Sequence, residues 1–279
     1  MLTARSHLFV PGIRADLMAK ADRGPADVVV VDLEDAVPVP RKDEARDALA
    51  RWVGTAPASP VWVRLNAGDE LAPDVACLRP FAQRLAGVLL AKAEDAEAVA
   101  HAASLGRPVG LFLETAGAVL AAATLARLPG VTVLHLGEYD LAADTGLDPG
   151  EDEAELAWAR AQVVFASVAA GLAPPPAPVS TVVTDTARFR ESTLRAARQG
   201  FLGRMCIHPG QVEVVNEVYT PDAQRVAEAQ ALLERYDRAL ADGAGVLLDD
   251  GGRMVDEAVV RSARRVLAMS GPSGREEQS

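Results

Sequence analysis

Short apolar runs alternate along this chain with longer segments of helical periodicity, and this alternation limits the possible folds most strongly. The runs are rich in Val and Leu, which is typical of buried β-strands. Strands that alternate with helices pair in parallel, since each helix carries the chain back to the start of the next strand. The runs are HLFVPG (7–12), DVVVVDLED (27–35), VWVRLNA (61–67), GVLLAK (87–92), PVGLFLET (108–115), VTVLHLGEYD (131–140), PVSTVV (178–183) and FLGRMCIHP (201–209).

Eight strands and the helices between them predict an α/β fold of the (β/α)8 TIM-barrel type. A chain of 279 residues, 49% of them hydrophobic, has the size and apolar content for such a barrel. A doubly wound open sheet is the alternative, but no G-x-G-x-x-G motif follows the first strand. The helix candidates are 14–23, 40–52, 71–84, 94–104, 115–127, 151–171, 185–199 and 209–216.

The chain continues further than closure of a barrel requires. We assign residues 1–220 to a catalytic barrel and 221–270 to a C-terminal extension that acts as a lid or an oligomerisation arm. The extension contains a charged helix at about 221–242, a turn rich in Gly and Asp, and a last helix at about 256–269. The polar residues 271–279 are expected to be a disordered tail.

Composition excludes several classes of function. A net charge of −11 argues against a nucleic-acid surface, which needs clustered basic residues. No apolar stretch reaches the roughly 20 residues of a membrane span, and the N-terminus lacks a secretion signal. Cys77 and Cys206 match no metal-binding spacing and are expected to be reduced thiols. These features predict a cytoplasmic protein.

Two of the apolar runs end on a carboxylate, Glu114 and Asp140. Because a buried strand tolerates no charge in its middle, an acid at its end marks contact with solvent or a ligand. Two acids one βα unit apart meet at the same rim of a parallel sheet, where Mg²⁺ takes one or two carboxylates. Helix capping is the alternative for both, although Thr115 is itself able to cap the helix that follows Glu114.

Polar residues stand at nearly every predicted strand end, where barrel enzymes place their active sites. Arg64 lies within a strand pattern and needs an anionic partner, either Glu34 or Asp35 or a substrate carboxylate. Lys92 is expected to pair with an acid of the rim. A structural and a catalytic role are equally compatible with His208. The predicted rim residues are Pro11, Gly12, Asp32, Glu34, Asp35, Arg64, Asn66, Lys92, Glu114, Gly137, Asp140 and His208.

Seven blocks of this sequence, in order, resemble the citrate lyase β-subunit-like group of the HpcH/HpaI aldolase superfamily, whose relatives include malyl-CoA and citramalyl-CoA lyases. The resemblance covers nearly the whole chain. The blocks are RSHLFVPGIRADLMAKA (5–21), VVVDLEDAV (29–37), VRLNA (63–67), ETAGAVL (114–120), GEYDLAADTG (137–146), GRMCIHPGQVEVVN (203–216) and GGRMVD (251–256).

The resemblance implies a (β/α)8 barrel that assembles as a homotrimer or hexamer, with Mg²⁺ as cofactor. By resemblance, Glu114 and Asp140 match the Mg²⁺ ligands, and Arg64 matches the arginine that binds the carboxylate of a small oxo-acid. Glu34 and Asp35 match acids that hold the waters of the metal. Phe9, Arg14 and Lys20 match positions that line the CoA or substrate site. Asp256 matches an acid on a lid that reaches the active site of a neighbouring subunit.

The activity implied is Mg²⁺-dependent cleavage or formation of a 3-hydroxyacyl-CoA such as malyl-, citramalyl- or citryl-CoA. The products are an acyl-CoA and a 2-oxo acid, and either Asp256 or a metal-bound water protonates the thioester enolate. Alternatives are a metal-dependent aldolase for CoA-free hydroxy-diacids and a weakly catalytic citrate lyase subunit. Two departures bear on specificity: Ala91 replaces the usual proline before Lys92, and the strand-seven loop reads VSTVVTDT.

Overall fold

A computed structural model describes residues 4–241, 247–248 and 254–270. The predicted disordered tail (271–279) and the first three residues of the GGRMVD block (251–253) lie outside the described residues. The fold is α/β, and its main sheet has seven parallel strands in the order β6-β5-β4-β3-β2-β1-β7. Those strands are β1 (Ser6–Pro11), β2 (Val28–Asp32), β3 (Val61–Leu65), β4 (Gly87–Leu90), β5 (Val109–Leu113), β6 (Val131–Leu136) and β7 (Arg204–Cys206).

Helices follow the strands, as the periodicity predicts. The predicted helix 71–84 changes to a 3-10 helix at Arg79–Arg84, where Pro80 has no N–H for an α-helical hydrogen bond. The helices are α1 (Ala15–Asp22), α2 (Lys42–Gly54), α3 (Leu71–Leu78), α4 (Ala96–Ala103), α5 (Ala116–Leu120), α6 (Ala122–Leu125), α7 (Glu138–Thr145), α8 (Ala157–Ala169), α9 (Thr186–Arg198), α10 (Pro209–Tyr219), α11 (Ala223–Ala241) and α12 (Glu257–Ser270).

The main sheet is buried on both faces, which explains why its strands are continuous apolar runs rather than alternating ones. Val30, Trp62, Leu89, Phe112 and Met205 form a cluster on one face, separate from the larger core on the other. Gly87 makes room for the largest of these side chains, since a Cβ there would lie 2.4–2.6 Å from the indole of Trp62.

The prediction of a strand at 178–183 is wrong: these residues belong to no strand of the described chain. The segment before them is rich in proline (APPPAP, 173–178), and proline has no N–H to donate to a strand ladder. Backbone hydrogen bonds still join this segment to both edges of the sheet. The N–H of Ala173 donates to Thr132 in β6, and the carbonyl of Ala177 accepts from Met205 in β7.

Beyond the main sheet, α11 and α12 pack on each other through Tyr236 and Val260, and Val255, just before α12, belongs to the same cluster. A short antiparallel pair, β8 (Leu247–Leu248) with β9 (Met254–Val255), lies between them in sequence. Among the described residues, no helix has the length and hydropathy that crossing a bilayer requires.

Two histidines are buried within the sheet, His7 in β1 and His135 in β6. His135 stacks on Phe112 with ring centroids 4.7 Å apart, and neither of its ring nitrogens has a hydrogen-bond partner among the described residues. Burial lowers the pKa of His7 to about 4, in spite of the nearby Asp27 carboxylate. Burial also lowers the pKa of His135, to about 3. Both imidazoles are therefore neutral in the folded protein.

We predict that the protein loses stability in mild acid because of these histidines. Below pH 6.5 these two histidines bind protons in the unfolded chain but not in the folded one, so their contribution to the free energy of unfolding falls as the pH falls towards 4. Each histidine contributes up to about 1.4 kcal/mol per pH unit. Urea unfolding between pH 7.5 and 5 measures this, and His135→Gln is expected to reduce the slope. His101→Gln, at an exposed position on α4, is the control; equal slopes for all three proteins would contradict the prediction.

Candidate active site

The carboxyl ends of the strands surround a cavity of about 440 Å³. Many of the polar side chains that the sequence predicts at this rim line it, together with aromatic and aliphatic ones. The lining residues are Phe9, Pro11, Asp32, Asp35, Ala36, Arg64, Phe112, Glu114, Leu136, Gly137, Glu138, Tyr139, Asp140, Val179 and Ile207.

Arg64 binds Asp32 through a two-point ion pair at one side of this cavity. Its Nε and Nη2 lie 2.7 and 2.6 Å from the two carboxylate oxygens of Asp32. The parallel register of β2 and β3 places these two residues side by side. The expected partners, Glu34 and Asp35, lie further away, at 3.2 and 3.3 Å from Nη1. Asp32 is therefore the principal partner, which the sequence reasoning missed although it had placed Asp32 on the rim.

Lys92 pairs with acids of the rim, as expected. Its ammonium forms an ion pair with the buried Glu34 and lies 3.7 Å from Asp35. Burial, together with the neighbouring Asp35, raises the pKa of Glu34, against the effect of the Arg64 and Lys92 cations. Arg64 and Lys92 thus reduce the repulsion between the Glu34 and Asp35 carboxylates.

Glu114 is almost fully buried just beyond the end of β5. One carboxylate oxygen accepts a hydrogen bond of 2.8 Å from the backbone N–H of Lys92, a residue with a positive φ of 47°. Thr115 caps α5 through its hydroxyl, so Glu114 is not used for capping. Burial raises the pKa of Glu114 to about 7, and the charge of Asp140 acts in the same direction. A cation placed between these carboxylates would remove that cost.

Asp140 lies in the first turn of α7, and the strand before it already ends at Leu136. The expectation of an acid at the end of a strand is therefore wrong in detail for Asp140. Gly137 precedes the helix and allows the close approach of Glu114. A Cβ on Gly137 would lie 2.5 Å from Cγ and 2.7 Å from Oε1 of Glu114. Among the described residues, Asp140 has no ion-pair partner, so its carboxylate is available to a ligand.

The donor set of the site fits a hard divalent cation. Carboxylates outnumber cationic side chains here: Asp32, Glu34, Asp35, Glu114 and Asp140 against Arg64 and Lys92. The described residues contain no group of three or more His, Cys, Asp or Glu side chains placed to hold a metal. A pair of carboxylates suits Mg²⁺, which keeps several water or substrate ligands, better than Zn²⁺, which is usually held by at least three protein ligands.

Two aromatic rings contact the guanidinium of Arg64. Its Cζ lies 5.1 Å from the ring centroid of Phe9 and 5.8 Å from that of Phe112. Cation–π contacts of this kind hold a guanidinium in place without using its N–H donors. Phe9 therefore lies at the site, as expected, and Phe112 joins it although the sequence reasoning did not name it.

Six of the expected residues lie apart from the cavity and its ion pairs, and two of these, Gly12 and Asn66, are buried. Arg14 is exposed and pairs with Asp16, 2.7 Å away. Lys20 is exposed near the end of α1. His208 caps α10 by accepting the N–H of Gly210, which agrees with its structural interpretation. Asp256 is also exposed and accepts the N–H groups of Ala258 and Val259 at the start of α12.

Tyr139 and Val179 also line the cavity without having been singled out. Tyr139 stands next to Asp140 in the sequence, and Val179 belongs to the proline-rich connection that replaces the predicted strand. A strand pattern indicates buried positions, but it does not reveal which side chains of a connection turn towards the site.

The chain matches a known protein family over most of its length. The model of the HpcH/HpaI aldolase/citrate lyase family matches residues 5–209. The chain belongs to this family. It is 35% identical to a citrate lyase subunit beta-like protein of Deinococcus radiodurans over 95% of this chain and 96% of that protein.

Other HpcH/HpaI members extend the comparison. The chain is 30% identical to an L-malyl-CoA/beta-methylmalyl-CoA lyase of Rhodobacter capsulatus, over 94% of this chain and 93% of that enzyme. Its fold is similar to that of CitE from Mycobacterium tuberculosis, solved in complex with magnesium, acetoacetate and coenzyme A. That similarity has a TM-score of 0.80 at 30% identity and covers 98% of this chain and 100% of the CitE chain. The seven-stranded parallel sheet is consistent with the TIM-barrel-like fold of the family.

We predict that Gly137→Ala weakens the binding of a divalent cation by about tenfold, because overpacking against Glu114 costs about 1–3 kcal/mol. Isothermal titration with Mg²⁺ measures the effect. Gly54→Ala is the matched control, since a Cβ at that position of α2 meets nothing within 4 Å. Equal Mg²⁺ affinity in Gly137→Ala and the wild-type protein would contradict the role given to Gly137.

Proposed function

We propose that the protein is a Mg²⁺-dependent carbon–carbon lyase that cleaves or forms a 3-hydroxyacyl-CoA such as malyl-, citramalyl- or citryl-CoA. The observation that carries this proposal is one cavity in which the carboxylates of Glu114 and Asp140 stand with the anchored guanidinium of Arg64. Two carboxylates suit the metal, and the guanidinium suits the carboxylate of an oxo-acid. The lyase relative and the magnesium and CoA complex of CitE support the same chemistry.

The finer architecture belongs to this proposal. We infer that the sheet closes as a (β/α)8 barrel within residues 1–220, with the proline-rich segment in place of the seventh strand. The hydrogen bonds of Ala173 and Ala177 to both edges of the sheet support this closure. The helix pair α11 and α12 then forms the lid or oligomerisation arm, within residues 221–270. We further propose a cytoplasmic homo-oligomer, a trimer or a hexamer.

Arg64 is assigned the carboxylate of the departing oxo-acid. Asp32 occupies the Nε and Nη2 side of the guanidinium. Glu34 and Asp35 lie 3.2 and 3.3 Å from Nη1, so a substrate carboxylate binds at the Nη1 and Nη2 end by displacing these two acids from Nη1. Held by Asp32 and by the rings of Phe9 and Phe112, the guanidinium is fixed before the substrate arrives, which reduces the reorganisation needed during reaction.

Glu114 and Asp140 are assigned to the Mg²⁺ ion. When bound there, Mg²⁺ supplies positive charge that stabilises the negative charge developing on the substrate hydroxyl as the carbon–carbon bond breaks. Glu34 and Asp35 are assigned to the water molecules around the metal. Lys92 partly neutralises the charge of these two carboxylates and so reduces the repulsion between them. Gly137, the residue before α7, has no side chain to cap the helix, so the N–H groups of its first turn are available to a substrate oxygen.

The proton for the thioester enolate comes from Asp256 in this proposal. Asp256 lies apart from the cavity residues of its own chain, so we place it at the site of a second copy, carried there by the α11–α12 lid. Arg14 and Lys20 are exposed cations at the start and near the end of α1, and we assign them to the CoA phosphates.

We predict that the wild-type protein, with Mg²⁺, releases a 2-oxo acid from at least one of malyl-, citramalyl-, methylmalyl- and citryl-CoA. Glu114→Gln and Asp140→Asn should each reduce the rate by at least about a hundredfold, because each removes a charged ligand of the metal. Detection of the released oxo-acid measures this. Glu213→Gln, an exposed carboxylate on α10, is the control and should keep full activity.

Three outcomes separate the proposal from its rivals. Cleavage of CoA-free hydroxy-diacids but not of thioesters would favour the aldolase alternative. No cleavage of any compound by the wild-type protein would favour a weakly catalytic subunit. Full activity in Glu114→Gln or Asp140→Asn would overturn the metal assignment.

We predict that Asp256→Asn and Arg64→Lys, each inactive alone, regain activity when they are co-expressed in one oligomer. About a quarter of the sites in a randomly mixed population, and about a third of those in a mixed trimer, would then combine an intact Arg64 with an intact Asp256 from a neighbouring copy. Activity of the mixed oligomer, purified by two different tags, measures this. A mixed oligomer that stays inactive, while a mixture of either variant with wild type is active, would contradict the supply of Asp256 from a second copy.

A further inference from the structure

We propose that Tyr139 determines substrate specificity by limiting the size of the oxo-acid that fits at the metal end of the cavity. This inference rests on the proposed function and makes it more specific. It favours products as short as glyoxylate and pyruvate over oxo-acids that carry a second carboxylate.

A second cavity adjoins the first one. Its volume is about 350 Å³, and it lies among α7, the segment 149–156, α9 and the connection that contains residues 179–182. The two cavities share three lining residues, Glu138, Tyr139 and Val179. These three side chains therefore form the partition between a site of about 440 Å³ and an adjoining space of similar size.

Tyr139 is the part of this partition that a substitution can remove without breaking a buried ion pair. Glu138 is buried and is fixed by a two-point ion pair with Arg160, at 2.5 and 2.8 Å. Val179 is a short side chain on the connection. Tyr139, by contrast, is 51% exposed and presents a large ring next to the metal-binding Asp140.

Hydrogen bonds at its far end hold the Tyr139 ring across the gap. The hydroxyl of Tyr139 donates to Oγ1 of Thr181 and accepts from its N–H, both at 3.0 Å. The connection is fixed from its other side, because Gln211 donates to the carbonyls of Ser180 and Val182 at 2.9 and 3.0 Å. The Tyr139 ring is thus anchored to a connection that Gln211 holds in place.

The chemistry of the second cavity indicates which group the ring excludes. Its walls carry the hydroxyls of Ser180, Thr181 and Ser192 and the guanidinium of Arg188, together with the carboxylates of Glu151 and Glu191. Such a polar space admits water or a polar group rather than an aliphatic one. In this proposal the Tyr139 ring separates an oxo-acid bound at the metal from this polar space, so a second carboxylate on the oxo-acid meets the ring.

Binding of oxo-acids in the presence of Mg²⁺ tests this proposal without relying on catalysis. Isothermal titration compares glyoxylate, pyruvate, 2-oxobutyrate and 2-oxoglutarate on the wild-type protein, Tyr139→Ala, Tyr139→Phe and Thr181→Val. We expect the wild-type protein to bind pyruvate at least about tenfold more tightly than 2-oxoglutarate. Tyr139→Ala should reduce this ratio at least about tenfold, and Tyr139→Phe, which keeps the ring, should reduce it much less. The reduction of this ratio in Thr181→Val should lie between those in Tyr139→Phe and Tyr139→Ala.

Trp158→Ala is the control, since it removes an exposed aromatic side chain of α8 that lines neither cavity. A ratio that is unchanged in Tyr139→Ala, or a wild-type protein that prefers 2-oxoglutarate, would overturn the role of Tyr139. Failure of the proposed function gives a different result from failure of the role of Tyr139. A wild-type protein that binds none of the four oxo-acids with Mg²⁺ would refute both proposals. Selective binding without cleavage of any thioester would refute only the lyase activity.

Discussion

The ion pair between Asp32 and Arg64 is the interaction on which the rest of the site depends. It exists because the register of β2 and β3 places the two residues side by side at the carboxyl end of the sheet. Removing one partner of such a buried pair typically costs about 3–5 kcal/mol, since the other charge is left without compensation. Arg64 also faces Glu34 and Asp35, and Glu34 pairs with Lys92, whose backbone N–H binds Glu114. A single chain of contacts therefore links Arg64, the proposed anion-binding cation, to Glu114, the proposed metal ligand.

The balance of charge in this chain of contacts explains why the site suits a divalent cation. Arg64 and Lys92 neutralise only part of the surrounding carboxylates, and burial raises the pKa of Glu114 to about 7. The excess negative charge is costly in a cavity that is partly shielded from water. A bound Mg²⁺ removes this cost, and the same charge serves the reaction as an oxyanion forms. The arrangement that stabilises the site is thus also the one that performs the proposed chemistry.

Much of this could be predicted from the sequence, because a charged residue at the end of an apolar run has to meet solvent, a counter-charge or a ligand. Glu114, Arg64 and Lys92 lie at the site for that reason. The seventh strand could not be predicted correctly, since PVSTVV has a strand composition while the preceding prolines remove the hydrogen-bond donors. Asp140 lies in the first turn of α7, separated from the end of β6 by Gly137 and two helical residues, and an apolar run in the sequence does not reveal where the strand ends and the helix begins. Asp32 and Tyr139 depend on register and on contacts across the connection, which only the structure supplies.

The most direct test of the metal and substrate assignments is a crystal structure grown with Mn²⁺ in place of Mg²⁺ and with pyruvate, using the anomalous signal of the metal. We predict one anomalous peak within coordination distance of carboxylate oxygens of both Glu114 and Asp140, with the pyruvate carboxylate at the Nη1 and Nη2 end of Arg64. A peak that contacts neither carboxylate, or pyruvate bound away from Arg64, would contradict these assignments.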